Sequence, residues 1–324
     1  MRAYTLIAPA KINLFLQIIG DHLQQDQPTG YHNLVMVLQS VSLSDELQLR
    51  PLSGEARSLR LDPPILLHCD HPQVPLDQTN LVYRAAALMW QKFPGQAGVE
   101  ITLHKRIPIG AGLAGGSTDA AAVLVGLNLM WELGLTQLEL QELGSQLGAD
   151  VPFCIRGGTS LAVGRGDQLS PLPDLEGIYV VLGKYHDLSV STPWAYQTYR
   201  QQFQASYAQT LEEQEQRRQQ GGSGALLKAI AHRDGGQIGQ LLHNDLEKVV
   251  LPAYPRVEYL RQQFANQSPL GTMMSGSGPT VFALADSAAA AEEIYAGVRG
   301  AIADPYLDLW ICQLCNQGIQ VQPL

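Results

Sequence analysis

From Val99 to Lys105 apolar and polar residues alternate strictly, Val99, Ile101 and Leu103 against Glu100, Thr102 and His104. That period of two predicts a β-strand with one buried face. A similar alternation follows the N-terminus, where Leu14, Leu16 and Ile18 interleave with Phe15, Gln17 and Ile19. Residues 4 to 19 are expected as two β segments separated by a kink at Pro9-Ala10-Lys11, and Val35 to Leu49 as further strands. Helical spacing appears from Leu81 to Trp90 behind an Asn80 cap, and from Thr136 to Leu147 behind a Thr136 cap with Leu138, Leu140, Leu143 and Leu147 apolar. Strands are expected around Thr159 to Val163 and Tyr179 to Leu182. The last third alternates helices (Ala225 to Ala231, Pro255 to Ala265, Ser287 to Arg299) with strands (Thr280 to Ala285, Trp310 to Cys315), an α+β pattern.

The strand ending at Lys105 runs into Pro108-Ile109-Gly110-Ala111-Gly112-Leu113-Ala114-Gly115-Gly116-Ser117-Thr118, then into the Ala-rich stretch Asp119 to Val125 of high helix propensity. A Gly-rich strand-to-helix turn lets the backbone come close to a bulky anion, and the first N–H groups of the helix point at it. Ser117 or Thr118 is expected to cap that helix and to bond a phosphate or its Mg²⁺. No Lys follows the glycines, which excludes a Walker A loop. Glycines at 110, 112 and 115 satisfy G-x-G-x-x-G, but mid-chain and without an acidic ribose partner downstream. By itself the loop serves equally as a structural turn.

Composition narrows the class. The 324 residues allow two domains; 45% are apolar and only 16% charged, and the net charge is -9. That balance argues against general binding of nucleic acid or acidic membranes, which needs clustered Lys and Arg. The N-terminal residues lack the layout of a signal or transit peptide and no run is long enough to span a membrane, so a cytoplasmic protein is expected. Cys69, Cys154, Cys312 and Cys315 are too few and too scattered for a disulfide framework. Cys312-Gln313-Leu314-Cys315 is a C-x-x-C without a second pair, and His68-Cys69-Asp70-His71 reads as a polar loop rather than a ligand cluster. Residues 201–222 are rich in Gln and Glu with few apolar positions, and are expected as a mobile, solvated insertion.

Five segments then coincide in order: Ala8-Pro9-Ala10-Lys11-Ile12-Asn13-Leu14, Gly30-Tyr31-His32, Pro108 to Thr118, Gly148-Ala149-Asp150-Val151-Pro152-Phe153, and Met274-Ser275-Gly276-Ser277-Gly278-Pro279-Thr280. Together they resemble the GHMP small-molecule kinases over nearly the whole chain. The resemblance implies a two-domain α+β fold: an N-terminal ATP-binding domain (1–165) like domain 2 of ribosomal protein S5, and a ferredoxin-like C-terminal substrate domain (166–324). Within the superfamily, the opening motif, the Gly-Tyr-His and the Gly-Ala-Asp-Val-Pro-Phe imply ATP-dependent phosphorylation of the 2-hydroxyl of 4-diphosphocytidyl-2-C-methyl-D-erythritol, a step of non-mevalonate isoprenoid synthesis. Mevalonate, homoserine or a sugar as acceptor, or a catalytically silent nucleotide-binding protein, are the competing expectations.

Phosphoryl transfer needs a triphosphate cradle, a proton acceptor and a cation near the developing charge. The resemblance gives these roles to residues 108 to 118, to Asp150 and to Lys11. Asp150 is expected to be shielded from bulk water, with Lys11 as nearby counter-charge; the same pair would also serve simply to hold two segments together. Asn80, Leu81 and Lys105 are the adenosine-side candidates. Asn13 is expected to orient the methylerythritol hydroxyls, and the cytidine to lie against an aromatic pair, Tyr31 and Tyr196, with His32, Thr192 and Pro193 beside it. Ala114 and Thr118 stand where relatives often carry Gly and Ser, and the sequence names no metal-binding carboxylate.

Overall fold

The interruption at Pro9-Ala10-Lys11 does not divide the first strand. In the computed structural model, which describes residues 2–24, 27–52, 62–220 and 222–323, β1 (Tyr4–Gln24) runs antiparallel to β2 (Gln27–Pro51) throughout. The break survives as shifts of pairing register between Pro9 and Ala10 and between Asn13 and Phe15. A bulge bends a strand and re-aims its side chains without ending it, so the two expected segments are one.

There follow β3 (Ile65–Cys69), α1 (Leu81–Lys92), β4 (Val99–His104), α2 (Gly115–Met130), α3 (Gln137–Ser145), α4 (Val151–Arg156), β5 (Thr159–Gly164) and β6 (Gln168–Pro171). After β7 (Tyr179–Tyr185) come five helices with a short strand among them: α5 (Thr192–Phe203), α6 (Leu211–Gln220), α7 (Ser223–Ala231), α8 (Gly235–Gln240), β8 (His243–Asn244) and α9 (Glu247–Ala253). The chain closes with α10 (Pro255–Ala265), β9 (Gly271–Met274), β10 (Val281–Ala285), α11 (Ala288–Ala301), β11 (Leu307–Gln313) and β12 (Gln320–Pro323). The caps read from sequence are present: Asn80 accepts from Val82 N at 2.8 Å, and Thr136 and Glu139 form a reciprocal capping box. Among the described residues no helix is long and apolar enough to cross a membrane.

The long β2 carries the first sheet. One edge pairs with β1; the other pairs with β4 through residues 46 to 51 and with β5 through residues 34 to 39. β3, missed where His68-Cys69-Asp70-His71 reads as a loop, is an edge strand parallel to β4. The second sheet, in the order β11-β7-β10-β9, is antiparallel and takes α10 and α11 against it. One apolar cluster joins the sheets, with Ile12, Leu14, Val35 and Val37 of the first against Val180, Leu182 and Phe282 of the second. The first sheet does not stop at residue 165: β6 completes a hairpin with β5, β8 pairs parallel to β1 at Phe15 and Leu16, and β12 pairs along Tyr4 to Ile7.

The solvated excursion expected over 201–222 is instead folded onto β1. Of this segment only Gly221 lies outside the described residues. Gln214 is 2% exposed; its side chain accepts from Asn33 Nδ2 at 2.6 Å and donates to Asp21 O at 2.8 Å. Arg217 donates to the carbonyls of Ile19 and Ser206. Hydrogen bonds from amide and guanidinium groups, rather than apolar burial, attach α6, and composition does not reveal that kind of anchoring.

Candidate active site

Lys11 and Asn13 lie two apart on β1, so their side chains share one face of the strand. Lys11 Nζ donates to Asn13 Oδ1 at 2.7 Å and stands 3.7 Å from Asp150 Oδ2, and its backbone N–H donates to Leu113 O in the Gly-rich loop at 3.1 Å. Asn13 Nδ2 is directed to Met36 Sδ. Asp150 occupies the N-cap position of α4, where a carboxylate ordinarily bonds the first free N–H groups. Here it makes no cap bond, and its carboxylate borders a cavity of about 950 Å³ instead. The Asp150 side chain is 32% exposed, so the expected shielding from water is incomplete: the cavity that reaches it is open.

The loop between β4 and α2 is held on three sides. Asp45, fully buried, accepts from Arg106 N at 2.5 Å and Ile107 N at 2.8 Å, and takes a hydrogen bond from Lys105 Nζ through its other oxygen. Ser275 Oγ donates to Gly112 O at 3.1 Å, while Lys11 N holds Leu113. Gly110, Gly112 and Ala114 all take positive φ (59°, 73° and 58°), alternating with ordinary residues. Such an alternation turns successive N–H groups toward one point, an anion-binding nest. A Cβ on Gly112 would lie 2.3 Å from Ser275 O, so only Gly fits there. Ala114 adopts the left-handed conformation despite its Cβ, at a cost of roughly 1–2 kcal/mol.

Helix α2 starts at Gly115 with Ala114 as an N-cap that has no side-chain bond. The expectation that Ser117 or Thr118 caps it is therefore corrected: both sit inside the first turn. Ser117 borders the cavity; Thr118 is fully buried and Leu113 nearly so, and these two do not line it. The other loop residues from Pro108 to Gly116 do, as do Asn80 and Leu81. Asn80 has its amide committed to the α1 cap and to Pro75 O.

Lys105 also borders the cavity, but its ammonium is enclosed between the carboxylates of Asp45 and Asp119. Burial acts to lower the Lys105 pKa, and the charges of Asp119 and then Asp45 outweigh it and hold it above the usual lysine value. Burial raises Asp119 well above the carboxylate range, against the pull of Lys105. Asp119 Oδ1 is buried without a hydrogen-bond partner. Neither acid was singled out in the sequence.

At the far end, His32 lies between Tyr196 (ring centroids 5.1 Å apart) and Tyr207 (5.8 Å). The ring contact in this cluster is His32 with Tyr196, and Tyr31 stands apart from both. Tyr31 is 58% exposed and carries the Arg165 guanidinium 5.3 Å from its ring centre. Thr192 Oγ1 meets Ser277 Oγ at 2.7 Å, joining the start of α5 to the second Gly/Ser loop. Asn244 shapes that loop by donating to the carbonyls of Met274 and Gly276, both at 2.8 Å. Thr192, Pro193, Tyr196, Tyr31 and His32 all border the same cavity as the loop.

His32 Nε2 is buried with no partner, and burial, then the Arg200 charge, lowers the His32 pKa from 6.5 to about 4. The ring is neutral in the folded protein at neutral pH. As pH falls from 6.5 toward 4 the unfolded chain takes up this proton first, so the folded state loses stability across that window. Melting temperature should accordingly drop more steeply between pH 6.5 and 4.5 for the wild type than for H32Q, and parallel curves would show that the ring titrates freely.

Residues 80–158 match the GHMP kinases N terminal domain and residues 226–304 the GHMP kinases C terminal family. The 4-diphosphocytidyl-2-C-methyl-D-erythritol kinase of Thermosynechococcus vestitus is 61% identical over 319 residues, covering 98% of this chain and 99% of the relative. That of Acaryochloris marina is 58% identical over 321 residues, 99% of each. A crystal structure of 4-(cytidine 5'-diphospho)-2C-methyl-D-erythritol kinase superposes with a TM-score of 0.70 at 30% identity, covering 96% of this chain and 98% of that one. Homoserine kinase from Cytophaga hutchinsonii shares the fold, with a TM-score of 0.74 at 21% identity and coverage of 99% and 98%.

Proposed function

The chain belongs to the GHMP kinases, within them to the 4-diphosphocytidyl-2-C-methyl-D-erythritol kinases, and from that premise we propose how its residues transfer the γ-phosphoryl group of ATP to the substrate's 2-hydroxyl. The observation that carries the reading is the Lys11–Asp150 pair, tied to the Gly-rich loop through the Lys11 backbone. Triphosphate oxygens rest on the nest at Gly110, Gly112 and Ala114 and on the free N–H groups opening α2. Asp150 accepts the proton of the 2-hydroxyl as its oxygen attacks the γ-phosphorus; the bond to the bridging oxygen breaks, and ADP leaves. Lys11 faces the negative charge that develops on the transferring group, and Asn13 fixes the ammonium. Asn80 and Leu81, which border the cavity, take the adenosine side in this reading.

Hard oxygen donors suit Mg²⁺, and Ser117 with the unpartnered Oδ1 of Asp119 offers them near the start of α2. Among the described residues no group of three or more His, Cys, Asp or Glu could hold a metal alone, so these two would hold the ion together with the phosphates. Bound there, Mg²⁺ would neutralise charge on the triphosphate.

Cytidine lies at the His32–Tyr196 end. A neutral imidazole has one donor and one acceptor to match the edge of a base, which neither mevalonate nor homoserine carries. ADP release should be rapid with the cytidyl substrate and negligible with mevalonate or homoserine; equal turnover on mevalonate would replace this reading. Tyr196→Ala should weaken the cytidyl substrate by about 1–3 kcal/mol through lost stacking and leave ATP affinity unchanged. Calorimetric titration of both ligands separates that outcome from general damage to α5.

A further inference from the structure

Among the described residues four Lys and Arg side chains border the cavity, and two of them are already committed near the phosphate loop: Lys105 between two buried carboxylates, Lys11 beside Asp150 and Asn13. Arg165 and Arg200 lie at the opposite end, both on the Gly30–Tyr31 segment. Arg165 sits over the Tyr31 ring, and Arg200 Nη2 donates to Gly30 O at 3.4 Å. Each guanidinium is tethered by one carboxylate, Arg165 by Asp167 at 2.5 Å and Arg200 by Asp21 at 2.6 Å. Those recorded salt bridges engage only Nη2 of either fork, and Arg200 Nε is buried without any partner. A guanidinium has five N–H donors, so a single tether orients it and still leaves an edge for an anion. Tethering also removes much of the side-chain entropy that binding would otherwise cost.

We propose that Arg165 and Arg200 form a second anion site, a clamp that recognises the diphosphate of a cytidine-diphosphate-linked acceptor. The inference rests on the cytidyl reading above and adds to it that specificity comes from the linker as well as the base. In a chain of net charge -9, an acceptor bearing a diphosphate meets general repulsion, and two oriented cations at the base-binding end offset it locally. Arg200 also joins α5, which bears Tyr196, to the β1–β2 hairpin, so it positions the base pocket while binding the linker.

Calorimetric titration of cytidine, CMP and CDP into the wild type, R165Q and R165Q/R200Q tests this. The wild type should bind CDP more tightly than cytidine by about tenfold or more, as charge-assisted hydrogen bonds require. R165Q should lose about tenfold in CDP affinity with cytidine unchanged, and the preference should shrink at high salt. Equal losses for cytidine and CDP, or none for CDP in either variant, would overturn the clamp. Because Arg200→Gln also cuts the tie between α5 and β1, R165Q alone decides the matter if the double variant melts early. A wild type that binds ATP but none of the three cytidine compounds overturns the cytidyl reading itself; one that binds cytidine as tightly as CDP overturns the clamp alone.

Discussion

Asp150→Asn should lower kcat by roughly 10²- to 10⁴-fold with little change in KM for ATP, because the amide keeps the shape of the side chain but cannot take up the proton of the attacking hydroxyl. The geometry makes this a clean substitution. Asp150 makes no cap hydrogen bond to α4 and stands 3.7 Å from Lys11 with 32% of its side chain exposed, so little of the fold depends on its charge. Single-turnover rates with saturating ATP read the chemical step directly. If D150N turned over at near the wild-type rate while melting early, the pair would be a structural clasp. Lys11 is less clean, since its ammonium is buried and bonded to Asn13.

Lys105→Met should destabilise the protein by about 3–5 kcal/mol, because it leaves the buried Asp45 carboxylate without its counter-charge and the Asp119 carboxyl without its hydrogen-bond partner. For a chain of this length that corresponds to a fall in melting temperature of about 4–7 °C. K105M/D119N should recover part of the loss, since an amide at position 119 can donate to the Asp45 carboxylate that the lost ammonium leaves unpaired. Both effects are read by calorimetry without nucleotide. The opposite outcome, an unchanged melting temperature with weakened ATP binding, would make Lys105 a direct nucleotide ligand, as the sequence led us to expect. Asp45 explains why loop and stability are linked: one carboxylate takes the ammonium of Lys105 and the N–H groups of Arg106 and Ile107, where the chain leaves β4 for the phosphate loop.

Much of this site is legible before folding, because its chemistry lies in short contiguous stretches. Lys11 and Asn13 are two apart on a strand, the loop is bounded by an alternating strand and an Ala-rich helix, and Gly148-Ala149-Asp150 precedes a Pro-started helix. What stays hidden depends on pairings distant in sequence. Asp45 reaches Lys105 only because β2 lies against β4, and Ser275 reaches Gly112 across 163 positions. No local pattern announces either. Composition also misleads over 201–222, where polarity suggests solvent but Gln214 and Arg217 spend their hydrogen bonds on the carbonyls and amide of the first hairpin. The aromatic residues were recognisable, whereas which rings touch depends on how α5 meets β2: His32 faces Tyr196, and Tyr31 turns outward under Arg165.

The return of the last strand to the first has a consequence for the order in which the enzyme assembles during synthesis. β12 pairs with residues 4 to 7 of β1, β8 with Phe15 and Leu16, and Ser275 with the phosphate loop. A ribosome-bound chain that has made only the Gly-rich loop, Lys11 and Asp150 thus has every reacting group but lacks the contacts that fix them, and the Tyr4–Ile7 edge of β1 stays unpaired until β12 has emerged. Such an edge is a template for wrong pairing. Nucleotide affinity should therefore arise late and abruptly as the chain lengthens, with β12 acting as the clasp that closes the sheet.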